Sequence, residues 1–251
     1  MSVQSIYRWT AAGLEALEYC DMTDTAIAVA DSWLVTAGTA LALDAHRRRF
    51  LAVATGAGAF WDAAIAAIPP EGDWFPRVEL HTNQRLLFRL RSAPELHRSV
   101  AIATWTGDDP WTQPLVKGPD LQRMLGIRTS AQAAGAGEAA LLSPDGYLVD
   151  SATSALLWWR GEILCGPLAE FERIDSVTAR SVLTLATALG VETHEEAVTP
   201  AELDGTELWA LNALHGIRIV TGWLDGPQLA EQPGRLALWR RRLDALRRPL
   251  R

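Results

Sequence analysis

The stretch Pro114–Trp159, PLVKGPDLQRMLGIRTSAQAAGAGEAALLSPDGYLVDSATSALLWW, decides how the chain is to be read. It runs from a lysine before a Gly-Pro break through an amphipathic segment, an apolar run, a Pro-Asp-Gly turn and a second run carrying an acid to an apolar exit. Trp111–Val116 reads as an extended run, which would set Lys117 at a strand end with its backbone restricted by the break that follows. Leu121, Leu125, Arg128, Ala131 and Ala134 recur at roughly helical spacing, and Gly135-Ala136-Gly137 ends that helix with residues tolerant of positive φ. Pro144-Asp145-Gly146 between Ala139–Leu142 and Tyr147–Val149 predicts a hairpin, with Asp150 closing its second strand.

Lys117 is the only lysine in a chain with 23 Lys and Arg residues. Arginine stays protonated, so chemistry that needs a neutral amine side chain has one candidate here. The amine would have to be desolvated, or set near other positive charge, to be neutral often enough to attack.

The ordered set Lys117, Glu138-Ala139-Ala140-Leu141, Asp145-Gly146, Asp150 and Leu156-Leu157-Trp158 resembles the central region of the class IV aminotransferase family. These are the fold-type IV pyridoxal-phosphate enzymes, which include branched-chain and D-amino acid aminotransferases and aminodeoxychorismate lyase. Arg173-Ile174-Asp175-Ser176-Val177-Thr178 is similar to the family's phosphate motif, and Asn212-Ala213-Leu214 to a run in the lyases. Leu43–Phe50, with His46 and Arg49, resembles the family's helix start.

The resemblance implies an α/β (α+β) fold of two domains with the cofactor in the cleft between them. It implies pyridoxal 5'-phosphate held covalently by Lys117, its phosphate met by Arg49 and by Ser176, Val177 and Thr178 at a helix start, with Asn212 nearby. Asp150 would face the pyridine nitrogen where the family has glutamate, and Ala155 stands where many relatives have asparagine. Trp33, Thr39, His215 and Arg218 are candidates for the substrate pocket. The expected activity is a lyase releasing pyruvate from an amino-chorismate. Alternatives are an amino acid aminotransferase (D-amino or branched-chain type) and a non-catalytic member that keeps the fold. The partner expectations are a small amino substrate and, by the same resemblance and the 11 tryptophans available to an interface, a homodimer.

Composition narrows the classes. At 49% hydrophobic and 21% charged the chain is globular, and a net charge of -7 argues against a nucleic-acid surface. Cys20 and Cys165 are too few and too far apart for a disulfide framework or a zinc site, which suggests the cytoplasm, and no metal is expected. No apolar run has the length of a membrane span or signal core, so no membrane partner is expected.

Outside the central stretch, Ile27–Val35 reads as a buried strand with Asp31-Ser32 at a pleat or bulge. Asp44 is a candidate N-cap for a helix reaching Pro69-Pro70. Val78–His81, Leu86–Leu90 and Val100–Trp105 are β-prone, and the first domain is expected over 1–110, the second over 111–251. In the second, Val177 to Leu189 is a helix ended by Gly190, Leu208–Leu211 and Ile217–Thr221 are strands, and Leu229–Leu250 is an arginine-rich helix.

Overall fold

The computed structural model describes residues 4–17 and 25–250, so Cys20 lies outside the described residues. Chain contacts separate two compact units. The first takes the described residues up to Leu96 together with Val116–Pro119 and the C-terminal residues from Leu246, and the second takes His97–Leu115 and Asp120–Ala245. The first cut therefore falls at 96/97 and not at 110/111, and Lys117 belongs with the first unit.

The first unit begins with strands β1 (Gln4–Thr10), β2 (Gly13–Ala16) and β3 (Ile27–Ser32), the short β4 (Val35–Thr36) and β5 (Thr39–Ala40), and helices α1 (Leu43–Val53) and α2 (Gly58–Ala66). β6 (Asp73–Trp74), β7 (Arg77–His81) and β8 (Leu86–Arg91) complete its first stretch of chain. Its main sheet has the order β2-β1-β8-β7-β3, antiparallel throughout. Trp33, Phe50, Phe60 and Trp61 fill the core over this sheet, with the Trp33 and Trp61 rings 4.8 Å apart. The single helix expected up to Pro69 is two, because Gly56 turns the chain at a φ of 81°. Asp44 is not the N-cap: Ala42 holds that position in the left-handed region, and Asp44 lies in the first turn, where its charge complements the helix dipole.

The second unit contains β9 (Ser99–Thr104), α3 (Leu121–Ala133), β10 (Glu138–Leu142), β11 (Leu148–Ser151), β12 (Ala155–Arg160) and β13 (Ile163–Pro167). It continues with α4 (Val177–Ala188), β14 (Thr193–Glu196), β15 (Glu207–Asn212), β16 (Gly216–Leu224) and α5 (Arg235–Asp244). Its sheet has the order β11-β10-β9-β16-β15-β12-β13-β14, with β9 parallel to both neighbours, so residues 99–104 are bound into this unit. The hairpin about Pro144-Asp145-Gly146 is β10 and β11, and Asp150 faces Leu141 in register. Cys165 is buried on β13, and burial pushes its thiol up to about 11.

Two further expected elements differ. Trp111–Val116 forms turns and no strand; Pro114 lacks an N–H, and the N–H groups of Thr112 and Gln113 go to the Asp120 carboxylate instead of to a ladder. The terminal helix is confined to α5, because Gly234 at a φ of 83° starts it and Arg248–Pro249 (β17) returns to pair with β5. Among the described residues no helix is long and apolar enough to cross a membrane.

One buried charge cluster ties β7 to β8. Glu79, fully buried, accepts from Arg89 Nε at 2.8 Å and contacts Arg77 Nη2 at 2.5 Å and His81 Nε2 at 2.9 Å. Burial pushes its carboxyl up, but His81, Arg77 and Arg89 outweigh that and hold it at about 2. A depressed carboxyl stabilises the fold above its unfolded value and loses that contribution as pH falls through the folded one. Unfolding followed by denaturant from pH 7 to 2 should show this loss below about pH 4.5 in the wild type. Glu79→Gln, which takes the shared negative charge from the partly buried Arg77 and Arg89, should cost about 3 kcal/mol at pH 7 and flatten that acid limb.

Candidate active site

Lys117 stands on a segment whose backbone has little freedom. Its carbonyl accepts the N–H of Ala30 on β3 at 2.7 Å. Gly118 follows at a φ of 139°, and a Cβ there would lie 2.7 Å from the Ala30 nitrogen and 2.9 Å from Val29 backbone atoms. Only glycine fits such an approach, so the position after the lysine is set by backbone against backbone. Just beyond it, the Asp120 carboxylate gathers Thr112 N, Gln113 N and, at 2.5 Å, Thr112 Oγ1, folding the preceding loop back on itself. Burial raises that carboxyl, and the Thr112 and Gln113 donors outweigh it, with a net lowering.

The residue after Ala30 holds Arg49. Asp31 is fully buried; its Oδ2 accepts Arg49 Nε at 2.8 Å, and its Oδ1 accepts Arg49 Nη2 at 2.8 Å, His46 Nδ1 at 2.8 Å and the Ser32 N–H at 2.7 Å. The carboxylate can only accept, so His46 carries its proton on Nδ1. Burial pushes the Asp31 carboxyl up, but His46 and Arg49 together hold it well below the usual carboxylate range.

In the second unit Asp150 is buried near the end of β11. Ser176 is the N-cap of α4, its Oγ accepting Ala179 N at 3.2 Å, and Val177 and Thr178 begin the helix. That start opens on a cavity of about 730 Å³ lined by Ala155, Ile174, Asp175 and Ser176 among others. A helix N-terminus beside open space offers unbonded N–H groups and a positive dipole end to an anion.

Asn212, His215 and Arg218 come together around the turn between β15 and β16. Asn212 Nδ2 donates to Ser154 Oγ at 3.0 Å, while its Oδ1 accepts Leu214 N at 3.1 Å and His215 N at 2.8 Å. Arg218, 3% exposed, donates to the same Ser154 hydroxyl at 2.8 Å and stands 3.7 Å from Glu138 Oε2. Glu138 accepts from Ser154 Oγ, Thr153 N and Thr153 Oγ1. His215 Nδ1 accepts His97 N at 3.2 Å. Burial, with Arg218, His97, Arg128 and Arg240, pushes the His215 imidazole down to about 3.

Lys117, Arg49, Trp33 and Thr39 thus lie in the first unit, and Asp150, Ser176, Val177, Thr178, Asn212, His215 and Arg218 in the second. Trp33 is a core residue, and Thr39 is bonded to the Thr36 carbonyl and to Arg247. Asp31 was read only as part of a pleat or bulge, although a lone charge inside an apolar strand is a place where charges are paired. His46 was read only as part of the helix start, although His46 and Arg49 are three apart and share a helix face. Glu138 was read only as part of a strand pattern.

Residues 78–223, more than half of the chain, match the amino-transferase class IV family, and the chain belongs to that family. Its fold is that of a branched-chain aminotransferase from Thermoproteus uzoniensis solved with norvaline, at 18% identity and a TM-score of 0.80, covering 98% of this chain and 100% of that one. It also matches a hypothetical aminotransferase from Mycobacterium tuberculosis in its apo form (17% identity, TM-score 0.79, 97% and 98% covered). A branched-chain amino acid aminotransferase from Escherichia coli gives 16% identity, a TM-score of 0.78, and 96% and 94% covered. Comparison with curated proteins by sequence gives no match.

The environment of His215 has a measurable consequence. A histidine held below its unfolded value of 6.5 stabilises the fold when neutral, and the contribution fades as pH falls and the unfolded chain takes up the proton first. Its ring signals followed by NMR should stay in the neutral form from pH 7 to pH 4. A midpoint near 6.5 would place the ring in water instead.

Proposed function

We propose that this pyridoxal-phosphate-dependent enzyme of the class IV aminotransferase family transfers the amino group of a small amino acid to a 2-oxo acid, with Lys117 as the residue that holds the cofactor. One observation carries the assignment: the only side-chain amine in the protein sits between a 2.7 Å backbone hydrogen bond to β3 and a glycine that no other residue can replace without a clash. Lys117 Nζ is the group that takes the proton from the substrate's α-carbon and returns it. Arg49 and the first-turn N–H groups of α4 at Ser176, Val177 and Thr178 hold the phosphate. Asp150 keeps a proton on the ring nitrogen, reaching about 1.5 Å less far than a glutamate would. When bound, the cofactor supplies an electron sink for the pair left on the α-carbon.

The lyase reading rests on Asn212-Ala213-Leu214. Asn212 spends its amide on Ser154 and on the turn N–H groups, so that motif is accounted for by packing, which favours transamination. Chain length does not separate the two activities, since a branched-chain aminotransferase is matched along 100% of its length. A homodimer belongs to the same proposal, and Leu115, 65% exposed two residues before Lys117, is apolar surface that a second copy would cover. Sedimentation at micromolar concentration should give twice the chain mass, and a monomer would remove that part.

Lys117→Ala should abolish borohydride trapping of the cofactor and lower turnover by about 10²–10⁴-fold or more, with the fold intact by circular dichroism. For the wild type, a keto product should form from an amino acid only when a 2-oxo acid acceptor is present. Pyruvate released from aminodeoxychorismate without any acceptor would replace transamination with the lyase. A wild type that takes up no pyridoxal phosphate in excess would refute both.

A further inference from the structure

We infer that Asp31 is a positioning residue for the cofactor phosphate: it fixes the guanidinium of Arg49 in one plane, with His46 and the Ser32 N–H keeping the carboxylate from turning. This rests on the reading above that Arg49 meets the phosphate, and it assigns Asp31 a function through Arg49.

Stability alone is a poor account of this cluster. A fully buried carboxylate is costly unless paired, and a buried ion pair adds little over apolar residues of the same volume. What it does supply is geometry. Both carboxylate oxygens meet the Nε–Nη2 edge of Arg49 at 2.8 Å, fork against fork, which fixes the plane as well as the place of the guanidinium. The fork is in turn held at its base. Oδ1 takes two further donors, from His46 and Ser32, and the Trp33 ring lies 6.0 Å from the His46 ring. Of the five N–H bonds of the guanidinium, the Nε–H and one on Nη2 make up this edge, and Nη1 lies on the opposite side of the group.

Two effects of Asp31 oppose each other. Its negative charge repels a phosphate and cancels part of the attraction of Arg49, whereas its hydrogen bonds remove the rotamer entropy that a long side chain would lose on binding. The geometry favours the second, because the carboxylate is already compensated by two donors besides the Nε–Nη2 edge of Arg49, His46 Nδ1 and Ser32 N. β3 adds a connection to the amine. Ala30, the neighbour of Asp31, donates to the Lys117 carbonyl, so one strand places the phosphate-binding cation and the covalent anchor together.

The experiment compares pyridoxal phosphate with pyridoxal, which keeps the aldehyde and lacks the phosphate, by absorbance titration of the full-length protein. Asp31→Asn keeps the shape of the side chain and weakens the fork; it should lower affinity for pyridoxal phosphate about tenfold and leave affinity for pyridoxal unchanged. Arg49→Gln should give a loss at least as large, and adding Asp31→Asn to it should cost nothing more. Arg49→Lys keeps the charge, loses the fork and disturbs the core least; it should behave like Arg49→Gln, which covers the case in which Asp31→Asn does not fold. Unchanged or tighter binding of pyridoxal phosphate to Asp31→Asn would overturn the proposal in favour of simple repulsion. Equal losses for both ligands would overturn it in favour of a purely structural Asp31, and wild-type affinity in Arg49→Lys would do the same for the fork. If Arg49→Gln leaves the preference for pyridoxal phosphate over pyridoxal intact, the phosphate reading of Arg49 fails, and this inference fails with it.

Discussion

The close approach of Lys117-Gly118 to β3 is the constraint on which the first unit's part of the site depends. A hydrogen bond of 2.7 Å and a backbone separation that leaves no room for a Cβ place residues 116–119 inside a unit whose other described residues are, apart from the C-terminal return, those before 97. A long-range tie of this kind fixes where a side chain starts better than a strand end would. The lysine's Cα is located by a neighbouring strand and by its own chain direction at once.

That constraint also explains what could be read from the sequence. The hairpin at Pro144-Asp145-Gly146, the helix ending at Gly190 and the strands flanking Asn212 to Gly216 depend on local turn chemistry and period, and the structure has them where those signals lie. Lys117 was legible as a singular residue before a Gly-Pro break. The strand assigned just before it was not there, because the donors that would have made a ladder are claimed by Asp120, seven and eight residues away from its partners Gln113 and Thr112. A side chain that competes for backbone N–H groups leaves no trace in hydrophobic period. The terminal helix was overextended for a related reason: Leu229–Gln232 before Gly234 and Arg247-Arg248 past Asp244 fit a helix pattern, but Gly234 starts the helix and Arg248 is taken up in pairing with β5.

The polar residues of the site were harder to read than the apolar ones. Asp31 sits in IAVADSWLV as a single charge, and its partners are 15 and 18 residues further on, so its meaning depends on α1 crossing β3. His215 and Arg218 have the opposite problem. Their residue types suggest a substrate pocket, but burial turns them toward a neutral imidazole accepting a backbone N–H and a guanidinium sharing Ser154. Residue type names the chemistry a group is capable of, and burial decides whether that chemistry is used for binding or for packing.

The two units hold their buried arginines by different means, and the difference bears on what each can do. Arg49 meets Asp31 directly, two bonds in one plane, with the carboxylate itself held by His46 and Ser32. Arg218 meets Glu138 at 3.7 Å, and their closer connection runs through the Ser154 hydroxyl, which accepts from Arg218 and donates to Glu138. A hydroxyl rotates, so this second arrangement fixes a position without fixing a plane. At 3% exposure Arg218 is also shut away from any ligand that does not enter the core, whereas the Arg49 side chain keeps 17% of its surface in contact with solvent. A planar anion clamp needs both orientation and access. Arg49 is held in one plane and reaches solvent, and Arg218 serves the turn that Asn212 closes.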